Sequence, residues 1–153
     1  MRNQQGFTLV EIIIVVLIMA ILLGFITINL VRSQQNTSLT SIEEVLVADL
    51  RQQQLKSMIG DTEGRASSDS YGVHFDANKY VLFHGTYSAT DSANTVINLQ
   101  SNMQFNSPNF NVIFSKLSGS TSARTIDLQN NINSGIKRTY INVLGTVTEV
   151  DSL

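Results

Sequence analysis

From Phe7 to Val31 the chain runs for 25 residues with a single charge, Glu11. The apolar positions are not confined to one face there. Ile12 to Ile28 reads as an almost unbroken hydrophobic string. A helix that is apolar on every side belongs in a bilayer or among other helices. At 1.5 Å per residue this segment would be roughly 38 Å long, against the ~30 Å of a hydrocarbon core. The rest of the chain is of modest hydrophobicity and could hardly wrap such a helix as its own core.

The pattern then becomes one-sided. Residues 32–59 contain neither Gly nor Pro, and Leu39, Ile42, Leu46 and Leu50 recur at three- and four-residue steps. That spacing predicts an amphipathic continuation of the helix. Leu55, Met58 and Ile59 are expected to prolong its apolar face, with some drift. The polar stretch from Ser33 to Ser38 favours caps and turns, so a bend or fray is expected there. Glu43, Glu44 and Asp49 precede Arg51 and Lys56, an order that suits the helix dipole. Gly60 is placed to end the helix as its C′ residue. The stripe is expected to pack on whatever sheet follows.

After the polar loop Asp61–Ser70 the period changes from 3.6 to 2. Tyr71, Val73 and Phe75 alternate with Gly72, His74 and Asp76. Asp76-Ala77-Asn78 has turn chemistry, and Lys79 to His84 is rich in strand formers. A β-hairpin is predicted. Further strands are expected at Asn94–Leu99, Phe110–Phe114, Arg124–Leu128, Ile136–Leu144 and Val147–Val150, about seven in all. Gly85–Ala93 and Ser115–Ser122 read as loops. The fold class is therefore α+β: a long N-terminal transmembrane and amphipathic helix, then an antiparallel β-sheet domain.

Composition narrows the function. Lys and Arg number 10 against 12 Asp and Glu, a formal net charge of −2, so no basic excess holds nucleic acid. There is no cysteine, which removes disulfides, thiol nucleophiles and Cys-based metal sites. The outer part must hold together by packing and hydrogen bonds.

Glu11 is the unusual residue. A carboxylate within a membrane helix costs about 2.5–3.5 kcal/mol on insertion scales and calls for a partner. No Lys, Arg or His lies inside the segment. The partner must come from another chain or from a terminus. A secretory signal peptide would have a shorter apolar core and a small-residue cleavage site after it. A plain uncleaved anchor would explain the length of the run but not the residues that open it.

Those residues are Gly6-Phe7-Thr8-Leu9-Val10-Glu11. The string resembles the class III signal of type IV pilins and type II secretion pseudopilins. The resemblance implies cleavage by prepilin peptidase between Gly6 and Phe7, and N-methylation of the new Phe7 amine. It also implies that Glu11 pairs with the terminal amine of a neighbouring subunit during assembly. Domains expected on this basis are a leader at 1–6, a transmembrane and filament-core helix at 7–31, its amphipathic continuation at 32–60 and a β domain at 61–153. The implied partners are other pilin or pseudopilin subunits, the peptidase and an inner-membrane assembly platform. The implied location is the bacterial cytoplasmic membrane, single pass with a cytoplasmic N-terminus, and then a cell-surface or periplasmic filament.

A second resemblance covers much of residues 71–150. Tyr71 to Phe75, Tyr80 to Phe83, Ser122 to Leu128, Arg138 to Val143 and Gly145 to Val147 are similar to the minor pseudopilins called GspH/FimT-like. This implies a minor structural subunit; the alternatives are a major pilin or a DNA-binding competence pseudopilin. DNA-binding relatives are basic around the terminal glycine hairpin, where this chain has Thr146, Thr148 and Glu149. Lys137 and Arg138 are two charges only, so nucleic acid is not an expected partner.

No residue set carries catalysis. His74, His84 and Asp76 fall on one predicted hairpin and could approach a metal-binding arrangement. Alternation turns His74 away from the Tyr71/Val73/Phe75 face, however, and exposed or hydrogen-bonded histidines are expected. Asp61, Glu63 and Asp69 share a loop but match no calcium-loop spacing. Neither a phosphate-cradling Gly-rich motif nor a nucleophile elbow occurs. The expectation is no enzyme, no cofactor and no metal.

Overall fold

A computed structural model describes residues 8–150; the side chains of residues 24–37 and 149–150 lie outside the described residues. One helix, α1 (Leu9–Ile59), is followed by eight strands. These are β1 (Tyr71–Phe75), β2 (Lys79–His84), β3 (Thr95–Asn98), β4 (Met103–Phe105), β5 (Phe110–Phe114), β6 (Arg124–Asn130), β7 (Ile136–Ile141) and β8 (Val147–Val150). The chain divides into two compact units between Gln35 and Asn36. The backbone stays helical through Ser33–Ser38, so α1 does not fray there.

In the second unit the strands form two four-stranded antiparallel sheets rather than the single sheet expected. Their orders are β3-β2-β1-β5 and β4-β6-β7-β8. The extra strand is β4, three residues long, which pairs with β6. Tyr71 pairs with His84 and with Phe114, and Phe75 pairs with Tyr80 and Phe110. Residues directly opposite share a face, so Tyr71, Val73, Phe75, Tyr80, Val112 and Phe114 form one buried layer. Phe75 sits at its centre, stacked on Phe110 at 4.7 Å and edge-on to Phe105 of the other sheet at 5.0 Å.

Residues 38–59 of α1 pack on this core. Leu39, Glu43, Leu46, Leu50, Gln53 and Ser57 are the buried positions, spaced four and three residues apart. The stripe read from Leu39, Leu46 and Leu50 does face the core, with Ile42 packed at its margin. Its expected extension does not: Leu55, Met58 and Ile59 are exposed. The reason is angular. At 3.6 residues per turn Leu55 lies about 140° and Ile59 about 180° around from Leu50. Polar Gln53 and Ser57 occupy the inward positions instead.

The helix ends as Gly60 predicts. Gly60 has φ 66°, its N–H donates to Ser57 O, and Asp61 N–H donates to Lys56 O. The pair is a Schellman cap. Two loops are tied to this end of the helix. Gln54 Nε2 donates to Gly119 O at 3.2 Å and to Leu144 O at 2.9 Å, and Leu117 N–H donates to Ser57 O. A Cβ at Gly145 would lie 2.3 Å from Gly119 O, so the two loops meet at a distance only glycine permits there.

Candidate functional site: the capped N-terminal helix

Thr8 begins the described chain and caps α1. Its Oγ1 accepts the Glu11 N–H at 3.3 Å, and its carbonyl accepts the first helical bond, from Ile12 N–H. Thr8 is thus the N-cap and Glu11 the third helical residue, the Thr-x-x-Glu spacing of a capping box. Glu11 stands in the first turn, where the helix dipole favours a negative charge. The side chains around it have little cover: Leu9 is 75% exposed, and every large apolar residue from Val10 to Leu23 is about half exposed or more. Some 15 consecutive helical residues therefore offer apolar surface around a single carboxylate. Gly6 and Phe7, the expected processing positions, lie outside the described residues.

Residues 1–27 match the family model of the prokaryotic N-terminal methylation motif. No curated protein and no solved structure matches the chain. The match supports a type IV pilin-like prepilin signal, which is a substrate of prepilin peptidase and a mark of pilin-type subunits that assemble with one another. Such motifs are typical of membrane-anchored pilins. Among the described residues no helix is long and apolar enough to cross a membrane. The apolar run expected at 7–31 extends over Phe7 and residues 24–31, which are outside the described residues or have side chains that are.

In the second unit the sequence candidates separate. His84 pairs with Tyr71, an odd number of residues from His74 along β1, so the two histidines lie on opposite faces of the first sheet. His74 contacts Asn111 Oδ1 at 2.6 Å and Asp76 Oδ1 at 3.4 Å, and stacks on Tyr87 at 3.9 Å. Its face is half covered rather than open. His84 departs further from expectation, being neither exposed nor hydrogen-bonded. It is buried under α1, stacked on Tyr71 at 4.3 Å, with neither ring nitrogen hydrogen-bonded among the described residues. Glu63 Oε2 is 3.7 Å from its Nδ1.

The acidic loop is also dispersed. Asp61 Oδ1 accepts Glu63 N–H, Asp69 Oδ1 accepts Ser70 N–H, and Glu63 pairs with Lys56 at 2.6 Å. Among the described residues no group of three or more His, Cys, Asp or Glu is arranged to hold a metal. Burial, then the Glu63 and Asp61 carboxylates, pushes the Tyr71 phenol up to about 12. Burial and the 2.6 Å hydrogen bond that Tyr80 donates to Asp49 raise the Tyr80 phenol as well.

The two adjacent cations of β7 are both engaged. Arg138 makes a two-pronged pair with Asp127, at 2.7 and 2.8 Å, which raises its pKa. Lys137 reaches Glu43 Oε2 at 3.5 Å, and Glu43 Oε1 accepts the Thr139 hydroxyl at 3.4 Å. Periodicity alone marks Glu43 as a core position, whereas its chemistry suggests the surface.

Proposed function

We propose that the chain is a prepilin whose mature form is a minor structural subunit, GspH/FimT-like, of a type IV pilus or type II secretion pseudopilus. The observation that carries this is the Gly6-to-Glu11 string at the head of a Thr8-capped, all-round apolar helix, inside the matched residues 1–27. In this reading prepilin peptidase cuts after Gly6 and the Phe7 amine is methylated. The precursor spans the cytoplasmic membrane once, with its N-terminus cytoplasmic. An assembly platform then transfers the helix into a filament core made of neighbouring helices.

Apolar burial changes little in that transfer, because lipid and packed helices are similarly apolar. Direction and stagger must come from packing and from charge. Glu11 supplies the charge: in an apolar core it meets the Phe7 ammonium of a neighbour, and a wrong stagger leaves both unmatched. The second unit stays outside as the face of the subunit. Its adjacent basic residues Lys137 and Arg138 are spent on Glu43 and Asp127, which argues against a phosphate-binding role.

Mass spectrometry of the native protein tests the reading. The expected product begins at N-methyl-Phe7, and replacing Gly6 by a bulkier residue should leave uncut precursor in the membrane. An intact leader in assembled filaments would refute it.

A further inference from the structure

We propose that the solvent face of α1 between Ser41 and Ile59 docks a second, parallel copy of this chain, shifted along the helix by one heptad. The inference rests on the pilin reading, which puts the N-termini of neighbouring copies on the same side of one membrane, and adds the register to it.

Opposite the core stripe, Ser41, Val45, Ala48, Gln52, Leu55 and Ile59 are all exposed and follow one another at steps of four and three. That is the spacing of a coiled-coil seam. Val45, Gln52 and Ile59 fall at its a positions, and Ser41, Ala48 and Leu55 at d. β-branched residues at a with leucine at d suit a two-stranded parallel contact, and a polar residue at one a position specifies register at a cost in stability. Val45, Leu55 and Ile59 are each more than half exposed, so nothing among the described residues covers the seam.

Charge decides the occupant and its stagger. Glu44 and Arg51 flank the seam at g positions, Asp49 and Lys56 at e positions, and on each flank the base follows the acid by one heptad. In a parallel pair, each g residue faces the e residue of the next heptad on the other helix. In register, Glu44 would face Asp49 of the second copy and Arg51 would face Lys56. The reciprocal contacts double these like-charged encounters, and one amide bond between the two Gln52 side chains does not offset them. Shifted by one heptad, about 10.5 Å, Glu44 meets Lys56 and Asp49 meets Arg51. Both flanks then match, and small Ala48 lies against Leu55. Lys56 already holds Glu63, and Asp49 the Tyr80 hydroxyl. An ammonium has three donors and a carboxylate two oxygens, so both keep capacity. The shifted contact uses different residues on the two copies and can repeat without closing.

The chain has no cysteine, so introduced thiols report alone. Full-length Ala48→Cys and Leu55→Cys variants, each with its own tag, are co-expressed in the native membrane with the assembly machinery and oxidised. The one-heptad shift aligns position 48 of one copy with position 55 of the next. The mixed disulfide should therefore exceed either homodisulfide about five-fold or more. Val96→Cys, exposed on β3, is the control and should pair with neither. Glu44→Lys on the Ala48→Cys chain should lower the mixed product about five-fold, and Lys56→Glu on the Leu55→Cys chain should restore it. Should Lys56→Glu lower the melting temperature, Arg51→Glu on that chain, at an exposed position, is expected to lower the product as Glu44→Lys does.

The proposal is overturned if homodisulfides dominate, if Val96→Cys pairs equally well, or if charge reversal changes nothing. It is also overturned if a different protein takes the Leu55→Cys thiol in place of the Ala48→Cys chain. Mass spectrometry of the same chains separates the two readings. An N-methyl-Phe7 start without the mixed disulfide removes the shift and leaves the pilin reading standing, whereas an uncut leader removes both.

Discussion

Replacing Lys137 should damage the fold more than replacing its partner Glu43. Glu43 is 2% exposed by side chain and Lys137 16%, with 3.5 Å between Oε2 and Nζ. Truncating one member of a buried ion pair costs about 3–5 kcal/mol, mostly as the penalty on the charge left behind. Lys137→Met leaves a carboxylate deep under α1 without this ammonium, so it should cost most of that range. Glu43→Leu leaves an ammonium whose long stem can swing toward water. It also places an apolar side chain on a stripe that already holds Leu39, Leu46 and Leu50, so roughly 1–2 kcal/mol is expected. The double variant removes both charges at similar volume and should return to within about 1 kcal/mol of the parent. Urea melts of the four proteins, followed by circular dichroism, close the cycle. The reasoning fails if Lys137→Met costs less than Glu43→Leu, or if the double variant shows the sum of the two losses.

Gly72→Ala should destabilise by roughly 1–3 kcal/mol in the same melts, because its Cβ would sit 2.4 Å from Phe83 Cζ and 2.8 Å from Val112 O. Alkaline pH should destabilise the second unit: with the Tyr71 phenol moved from 10.0 to about 12, its contribution is complete below pH 10 and lost as pH rises toward 12. Tyr71→Phe should flatten that part of a melting-temperature profile. Glu11→Gln should leave cleavage and outer folding intact but impair entry into filaments, since losing one partner of a buried pair costs about 3–5 kcal/mol. Sheared filaments that carry the variant as well as the parent would remove Glu11 from the assembly scheme.

The parts of this molecule legible from sequence are those where chemistry and period agree. Tyr71 to His84 alternates cleanly around a turn and forms the hairpin expected. Gly60 ends the helix because a glycine takes the positive φ of a C′ residue without strain, a local signal that needs no help from the stripe. Where chemistry and period disagree, the reading falters. Glu43, Gln53 and Ser57 look like surface residues by type, yet the four-three spacing from Leu39 carries them inside. Leu55 and Ile59 look like core, yet rotation carries them out. Met103–Phe105 is too short for alternation to declare itself, and with β4 unread the second sheet merges into the first. At the candidate site the Thr8-x-x-Glu11 cap is a local signature, masked by the apolar run around it. His84 was beyond reach, because only the strand register reveals that it stacks on Tyr71 beneath the helix.

The polar ties between α1 and the rest of its unit have a mechanical consequence. Glu43 bonds to the second sheet, Asp49 holds Tyr80 of the first, and Gln54 grips two loops. From residue 43 to residue 54 these anchors span about 16 Å of helix at 1.5 Å per residue. A tension applied along α1 would load all three levels at once, in shear, instead of opening them one after another. The second unit should therefore resist tension along α1 as a block and yield in a single step.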